Sequence, residues 1–94
     1  MNAPEFLEPD WSAPARVRAA FTTRAGGVST GSWASFNLAA HVGDEPAAVA
    51  ENRRLLRRAL QLPAEPLWLE QAHGIAVAVM PAPANAPADA AVTF

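Results

Sequence analysis

Cysteine is absent from this chain of 94 residues. That excludes a disulfide framework, a cysteine-based zinc knuckle and a thiol nucleophile among these residues, and it leaves the redox compartment open. Lysine is absent too, so all seven basic residues are arginine. A net charge of −2 and a pI near 5.5 give no basic face of the kind nucleic acid needs, and no nucleic-acid partner is expected. No apolar run approaches the length of a membrane span. The first residues carry Glu5 and Glu8 but no basic n-region or apolar stretch that would make a signal peptide. A soluble, cytoplasmic chain without a membrane partner is the expectation. Large apolar side chains are scarce as well. The hydrophobic fraction is 51%, but alanine supplies much of it and buries little area per residue. The expected core is Phe21, Phe36, Leu38, Leu56, Leu60, Leu67, Leu69, Val77, Val79 and Val92. A chain of this size covers its own surface poorly, so a second part of the same protein or self-association is expected to help.

Residues 1–15 carry three prolines and several charges and read as an irregular lead-in, with Phe6 and Trp11 resting on a neighbouring surface. Residues 16–94 read as one domain part. Alternation from Val17 to Arg24 predicts a strand with one apolar face. Gly26, Gly27 and Gly31, interspersed with Ser29, Thr30 and Ser32, predict a loop, and 35–39 a second short strand. Asp44, Glu45 and Pro46 form a helix start signal, with Asp44 expected as the cap. The helix is predicted to run to about Leu60, with Val49, Asn52, Leu56, Ala59 and Leu60 on one stripe and Arg53, Arg54, Arg57 and Arg58 opposite. Pro63 follows its end. Leu67, Leu69, Gln71 and His73 alternate with Trp68, Glu70 and Ala72 as a third strand whose inward face turns polar at Gln71. The run 75–80 is apolar on both faces and predicts a fully buried strand. A proline-stiffened loop then leads to a last strand in 88–94. About five short strands and one main helix predict an α+β, mixed layered-sheet fold.

His73, at the end of a strand and after a polar glutamine, has the chemistry of a general base or a metal ligand. A core histidine bonded to main chain is the other reading. His41 with His73, and Asp44 or Asp89 as a carboxylate, is a possible metal set, although catalytic zinc takes three protein ligands and the spacing specifies no third. The glycine loop after Arg24 invites comparison with a phosphate cradle, but neither the dinucleotide nor the Walker pattern is present, and a tight turn is the simpler reading. Arg24 itself can hold a phosphate or carboxylate bidentately. The four helical arginines read as a solvated face or as a surface for an acidic partner. Asn52, polar on an apolar stripe, must bond to something specific, and the glycine loop is the expected partner.

In this order, the segments TTRAGGVS, SFNL, HVGDEP, ENRRLL, WLEQAHG and ADAAVT resemble the N-terminal part of the YfiH-like proteins. These are also called laccase-domain or polyphenol oxidase proteins and are described as purine nucleoside phosphorylases. The resemblance runs from about Val17 to Phe94, in a family whose members are roughly two to three times longer, with Ala72 where valine is frequent. It implies a layered α/β/β/α fold. It also implies a zinc site of one histidine from the Gln-x-His-Gly motif, matched by His73, with a cysteine and a second histidine expected beyond Phe94. The implied reaction is phosphorolysis of purine nucleosides, with phosphate as co-substrate and adenosine deamination as a side activity. His73 is the expected catalytic and metal residue. Arg24, Asn37 and Gln71 are expected to bind phosphate or ribose, or to orient the zinc shell. The alternatives are a copper polyphenol oxidase, or a non-enzymatic interaction domain or peptidoglycan editing factor. The 94 residues alone are expected to be inactive or nearly so.

Overall fold

Helix α1 (Pro46–Ala59) organises the chain. Proline at its start lacks only an N–H that would be orphaned anyway, and its apolar stripe turns Val49, Asn52 and Leu56 inward, where all three are buried. The helix ends in a Schellman arrangement. Gln61 takes a left-handed φ of 54°, its N–H donates to the Arg58 carbonyl, and the Leu62 N–H donates to the Arg57 carbonyl at 3.0 Å. This ending uses glutamine where glycine is usual, and it falls where the sequence places it, at about Leu60.

The computed structural model describes residues 3–93. Besides α1 the fold has two small sheets. β1 (Phe6–Leu7) pairs antiparallel with β2 (Phe21–Thr22), and β3 (Val77–Val79) pairs parallel with β4 (Ala90–Val92). One turn of 3-10 helix, Gly31–Trp33, sits between β2 and α1. The fold is α+β, as expected, with one main helix and a few short strands.

Several sequence expectations need correction. The lead-in is not wholly irregular: β1 docks on β2, and the Thr23 N–H and hydroxyl both donate to the Glu5 carbonyl at 3.2 and 3.1 Å. Trp11, expected to rest on a neighbouring surface, is 57% exposed. Of the strand expected over 17–24 only Phe21–Thr22 forms. No strand forms over 35–39, because its polar groups bond locally: the Ser35 and Phe36 N–H groups both donate to the Arg24 carbonyl, and Asn37 closes a turn on Ala39. The strand expected over 67–73 is reduced to one parallel bridge between Glu70 and Pro87. The run 75–80 does supply β3, but not a buried one. Ile75 is wholly exposed, and Val77 and Val79 are more than half exposed, since no second layer covers this two-stranded sheet among the described residues. The buried apolar core is correspondingly small: Phe36, Val49, Leu56 and Ala88.

Candidate functional site

Two polar clusters dominate the molecule, and each is built from motifs far apart in sequence. The first is a buried hub under α1. Asn52, with no exposed surface, accepts from the Val28 N–H at 2.8 Å and donates to Ser29 Oγ at 2.8 Å and to the Asn37 carbonyl at 2.7 Å. The Ser29 hydroxyl passes its proton side on to Asp44 Oδ2 at 2.6 Å, and Asn37 Nδ2 donates to the same oxygen at 3.1 Å. Asp44 therefore stands below the usual carboxylate pKa, held there by the Ser29 hydroxyl first and then by Asn37 and the Glu45 N–H, against partial desolvation. The expected tie between Asn52 and the glycine loop is present. The expected cap is shifted by one residue: Glu45 is the N-cap and makes no side-chain cap bond, because the Asp44 carboxylate is committed to the hub and to the Glu45 N–H at 2.8 Å.

The hub also settles the glycine loop. Five successive amides are consumed internally: Ala25 by Thr23 Oγ1, Gly26 and Gly27 by Ser35 Oγ, Val28 by Asn52 and Ser29 by the Ser35 carbonyl. A phosphate cradle needs such amides pointing outward, so these five do not form one. Gly27 is required instead by close packing, since a Cβ there would lie 2.2 Å from the Ser35 carbonyl oxygen and 2.4 Å from Asn52 Oδ1.

The second cluster is an exposed turn. The run 85–92 pairs first with 68–70 and then with β3, and Asp89 lies at the changeover, its own N–H donating to the Ala76 carbonyl at 3.1 Å. Its carboxylate accepts three consecutive main-chain N–H groups: Ala72 at 3.0 Å and His73 at 2.7 Å on Oδ1, and Gly74 at 2.8 Å on Oδ2. These bonds hold the Asp89 pKa below the usual range, the Gly74 amide foremost, then those of His73 and Ala72, with the His73 ring adding a smaller effect. His73 sits in the left-handed region, φ 57°, and is exposed. From the other side His41 Nε2 bonds to the Gln71 carbonyl at 3.0 Å, which links the turn to the loop leading into α1.

The expected site residues fall into place unequally. Arg24 and Asn37 line one shallow groove of about 340 Å³. Asn37 and Gln71 line a second of about 430 Å³, together with Phe36 and Trp68. Asn37 thus joins the two grooves, while His73 lines neither. Arg24 spends its Nε on the Ala34 carbonyl at 3.1 Å. The Asn37 side chain is occupied by Ala39 and Asp44. The helical arginines are mostly engaged: Arg53 donates to the Leu38 carbonyl and stacks 4.2 Å from the Trp68 ring centroid, Arg54 pairs with Glu51, and Arg57 reaches the Pro63 carbonyl and Glu65. Sequence reasoning missed the hub roles of Ser29, Ser35 and Asp44. It named Asp89 only as a metal-ligand candidate, although an isolated carboxylate between alanines at the start of an apolar strand was a usable signal.

Among the described residues no group of three or more histidine, cysteine or carboxylate side chains comes together as a metal cage. The set of His41, His73 and Asp44 or Asp89 is not formed, because Asp44 belongs to the hub and Asp89 to the main-chain amides. His73 remains a single accessible imidazole donor, and these residues do not by themselves fit a metal centre.

Fold and site together define an α+β domain that presents one histidine on a carboxylate-pinned turn. The family described as multi-copper polyphenol oxidoreductase laccase matches residues 18–94, and the chain belongs to it. It is 57% identical over 77 residues to a protein of Pseudomonas aeruginosa named purine nucleoside phosphorylase, covering 82% of this chain and 30% of that protein. It is 49% identical over 70 residues to the Escherichia coli purine nucleoside phosphorylase YfiH, covering 74% and 29%. A crystal structure of a Neisseria meningitidis protein of the DUF152 family superimposes with a TM-score of 0.77 at 42% identity, over 94% of this chain and 36% of that one. The chain thus spans about a third of the length of the relatives it matches. No helix among the described residues is long and apolar enough to cross a membrane.

Proposed function

We propose that this chain is the N-terminal portion of a cytoplasmic purine nucleoside phosphorylase, in which it contributes His73 to a zinc site and the Arg24–Asn37–Gln71 face to substrate binding. The observation that carries the reading is the exposed His73 on its pinned turn, within a motif set shared at 57% identity with a relative of that name. Phosphorolysis forms a bond from a phosphate oxygen to ribose C1′ and breaks the bond from C1′ to the purine nitrogen, whose electron pair leaves with the base and takes up a proton. Of the two parts this chain can serve, anion binding belongs to the Arg24 guanidinium, because the loop amides beside it are already spent. Orientation of the nucleoside belongs to the groove lined by Asn37, Trp68 and Gln71, with Gln71 as the polar contact, because the Asn37 side chain is spent on Ala39 and Asp44, and with the Trp68 indole as an aromatic surface suited to a flat heterocycle. Zinc would supply Lewis acidity, with His73 as one of its donors. The remaining donors would come from the rest of a protein of the relatives' length.

The laccase reading, written into the family's description, asks for several copper ions held by many histidines and a cysteine. Relatives at 57% and 49% identity that are named purine nucleoside phosphorylase favour it less. Metal content, phosphate-dependent release of hypoxanthine from inosine, and oxygen uptake with a phenol, measured on the whole polypeptide, separate the two. Zinc with phosphorolysis is expected. Copper with phenol oxidation would overturn the proposal, and so would a normal enzymatic rate of inosine cleavage by the 94 residues alone.

A further inference from the structure

We infer that Asp89 is a positioning residue for His73: by accepting the N–H groups of Ala72, His73 and Gly74 it fixes the turn that presents the imidazole. Three observations converge. The three donors are consecutive and bond at 2.7–3.0 Å to both oxygens of one carboxylate, an anion nest whose occupant comes from the same chain. His73 is a non-glycine residue at φ 57°, a conformation that side chains resist and that persists only where the surroundings impose it. Asp89 is also the residue at which the run 85–92 changes partner from 68–70 to β3, so its position is set by main-chain pairing on both sides. The carboxylate is therefore part of the frame, and the turn is what it holds. A Cβ at Gly74 would stand 3.6 Å from Asp89 Oδ2, ordinary contact, so glycine there is not what keeps the carboxylate in place.

The inference deepens the proposed function and rests on it only for its catalytic consequence. Its test uses Asp89→Ala and Asp89→Asn in the whole polypeptide, with thermal melts to verify folding. Asp89→Asn keeps the side-chain shape and one acceptor oxygen but sets an NH2 group against a main-chain N–H. Amide hydrogen exchange at Ala72, His73 and Gly74 is expected to quicken at least tenfold in Asp89→Ala and less in Asp89→Asn, with α1 unchanged and the His73 ring resonances shifted in both. Zinc affinity, measured by competition with a chromophoric chelator, is expected to fall about 10- to 100-fold. For inosine phosphorolysis kcat is expected to fall while KM for phosphate holds. Unaltered exchange at 72–74 and unmoved ring resonances in a folded variant would overturn the inference. Quickened exchange with wild-type zinc affinity and kcat would overturn it as well, by reducing Asp89 to a merely structural role. If the parent neither binds zinc nor cleaves inosine, the functional proposal fails by itself, and exchange with the ring resonances still decides whether Asp89 holds His73.

Discussion

The hub around Asn52 and the turn around Asp89 are both knots of polar groups, yet they are built to opposite ends. The hub is sealed: Asn52 and Ser29 are buried, and no buried side-chain polar atom among the described residues lacks a partner. The Asp89 turn is open, its three amides satisfied by a half-buried carboxylate and its histidine exposed. In the hub, saturation fixes one arrangement of glycine loop, SFN segment and helix. In the turn, saturation of the main chain leaves the side chain free to meet something else. A polar cluster therefore holds the fold when its side chains are consumed and displays chemistry when only its backbone is.

That contrast predicts where substitutions hurt most. Asn52→Ala strands the Val28 N–H, the Asn37 carbonyl and one bond of Ser29 in a buried place, and a loss of about 3 kcal/mol or more is expected from urea denaturation of the whole polypeptide. Asp89→Ala, losing three exposed bonds, is expected to cost clearly less stability. Equal costs for the two would break the comparison. Next comes Gly27→Ala. The added carbon meets main chain and Asn52, neither of which can yield cheaply, and about 1–3 kcal/mol is expected to be lost. Gly31, also a loop glycine, has nothing within 4 Å of a built Cβ but has φ 64°, so Gly31→Ala is expected to cost only the backbone strain, roughly 1 kcal/mol.

Acid sharpens the comparison from another side. Asp44 and Asp89 both have folded pKa values below the ordinary aspartate value of 3.8. Groups depressed on folding contribute stability that is fully present above the unfolded pKa and is lost as pH falls through the folded one. Melting temperature is expected to be flat with respect to these two groups above about pH 5 and to drop below pH 4. Asp44→Asn should remove part of that drop. A stability loss centred near pH 6 would point away from either carboxylate.

The sequence made α1, its buried stripe and the bond from Asn52 to the loop legible, because helical period and a misplaced amide are local signals. The strands were less legible. Val17–Arg24 alternates as a strand should, but only two residues pair, since β1 offers a partner of only two residues. The run 75–80 reads as buried because it is apolar on both faces, and burial depends on a covering layer that composition cannot supply. His73 was singled out by its motif. Its holder was not, because Asp89 lies 16 residues away and the meeting arises from parallel pairing, which leaves no periodic trace.

The smallest predicted effects concern one backbone conformation used twice. Gln61 and His73 share a left-handed φ, 54° and 57°, where a side chain costs energy and glycine does not. At Gln61 the conformation serves only to end the helix, and the side chain is exposed. Gln61→Gly is expected to raise stability by about 0.5–1 kcal/mol, the relief of strain being offset in part by a more flexible unfolded chain. At position 73 the same relief is available, since Asp89 binds the amide and not the ring. His73→Gly should then leave stability unchanged or slightly higher in urea denaturation of the metal-free protein, while zinc binding and inosine cleavage disappear. A marked loss of stability in that variant would mean that the imidazole is itself part of the packing, and the distinction between a cluster that holds and a cluster that displays would fail at the residue on which it matters most.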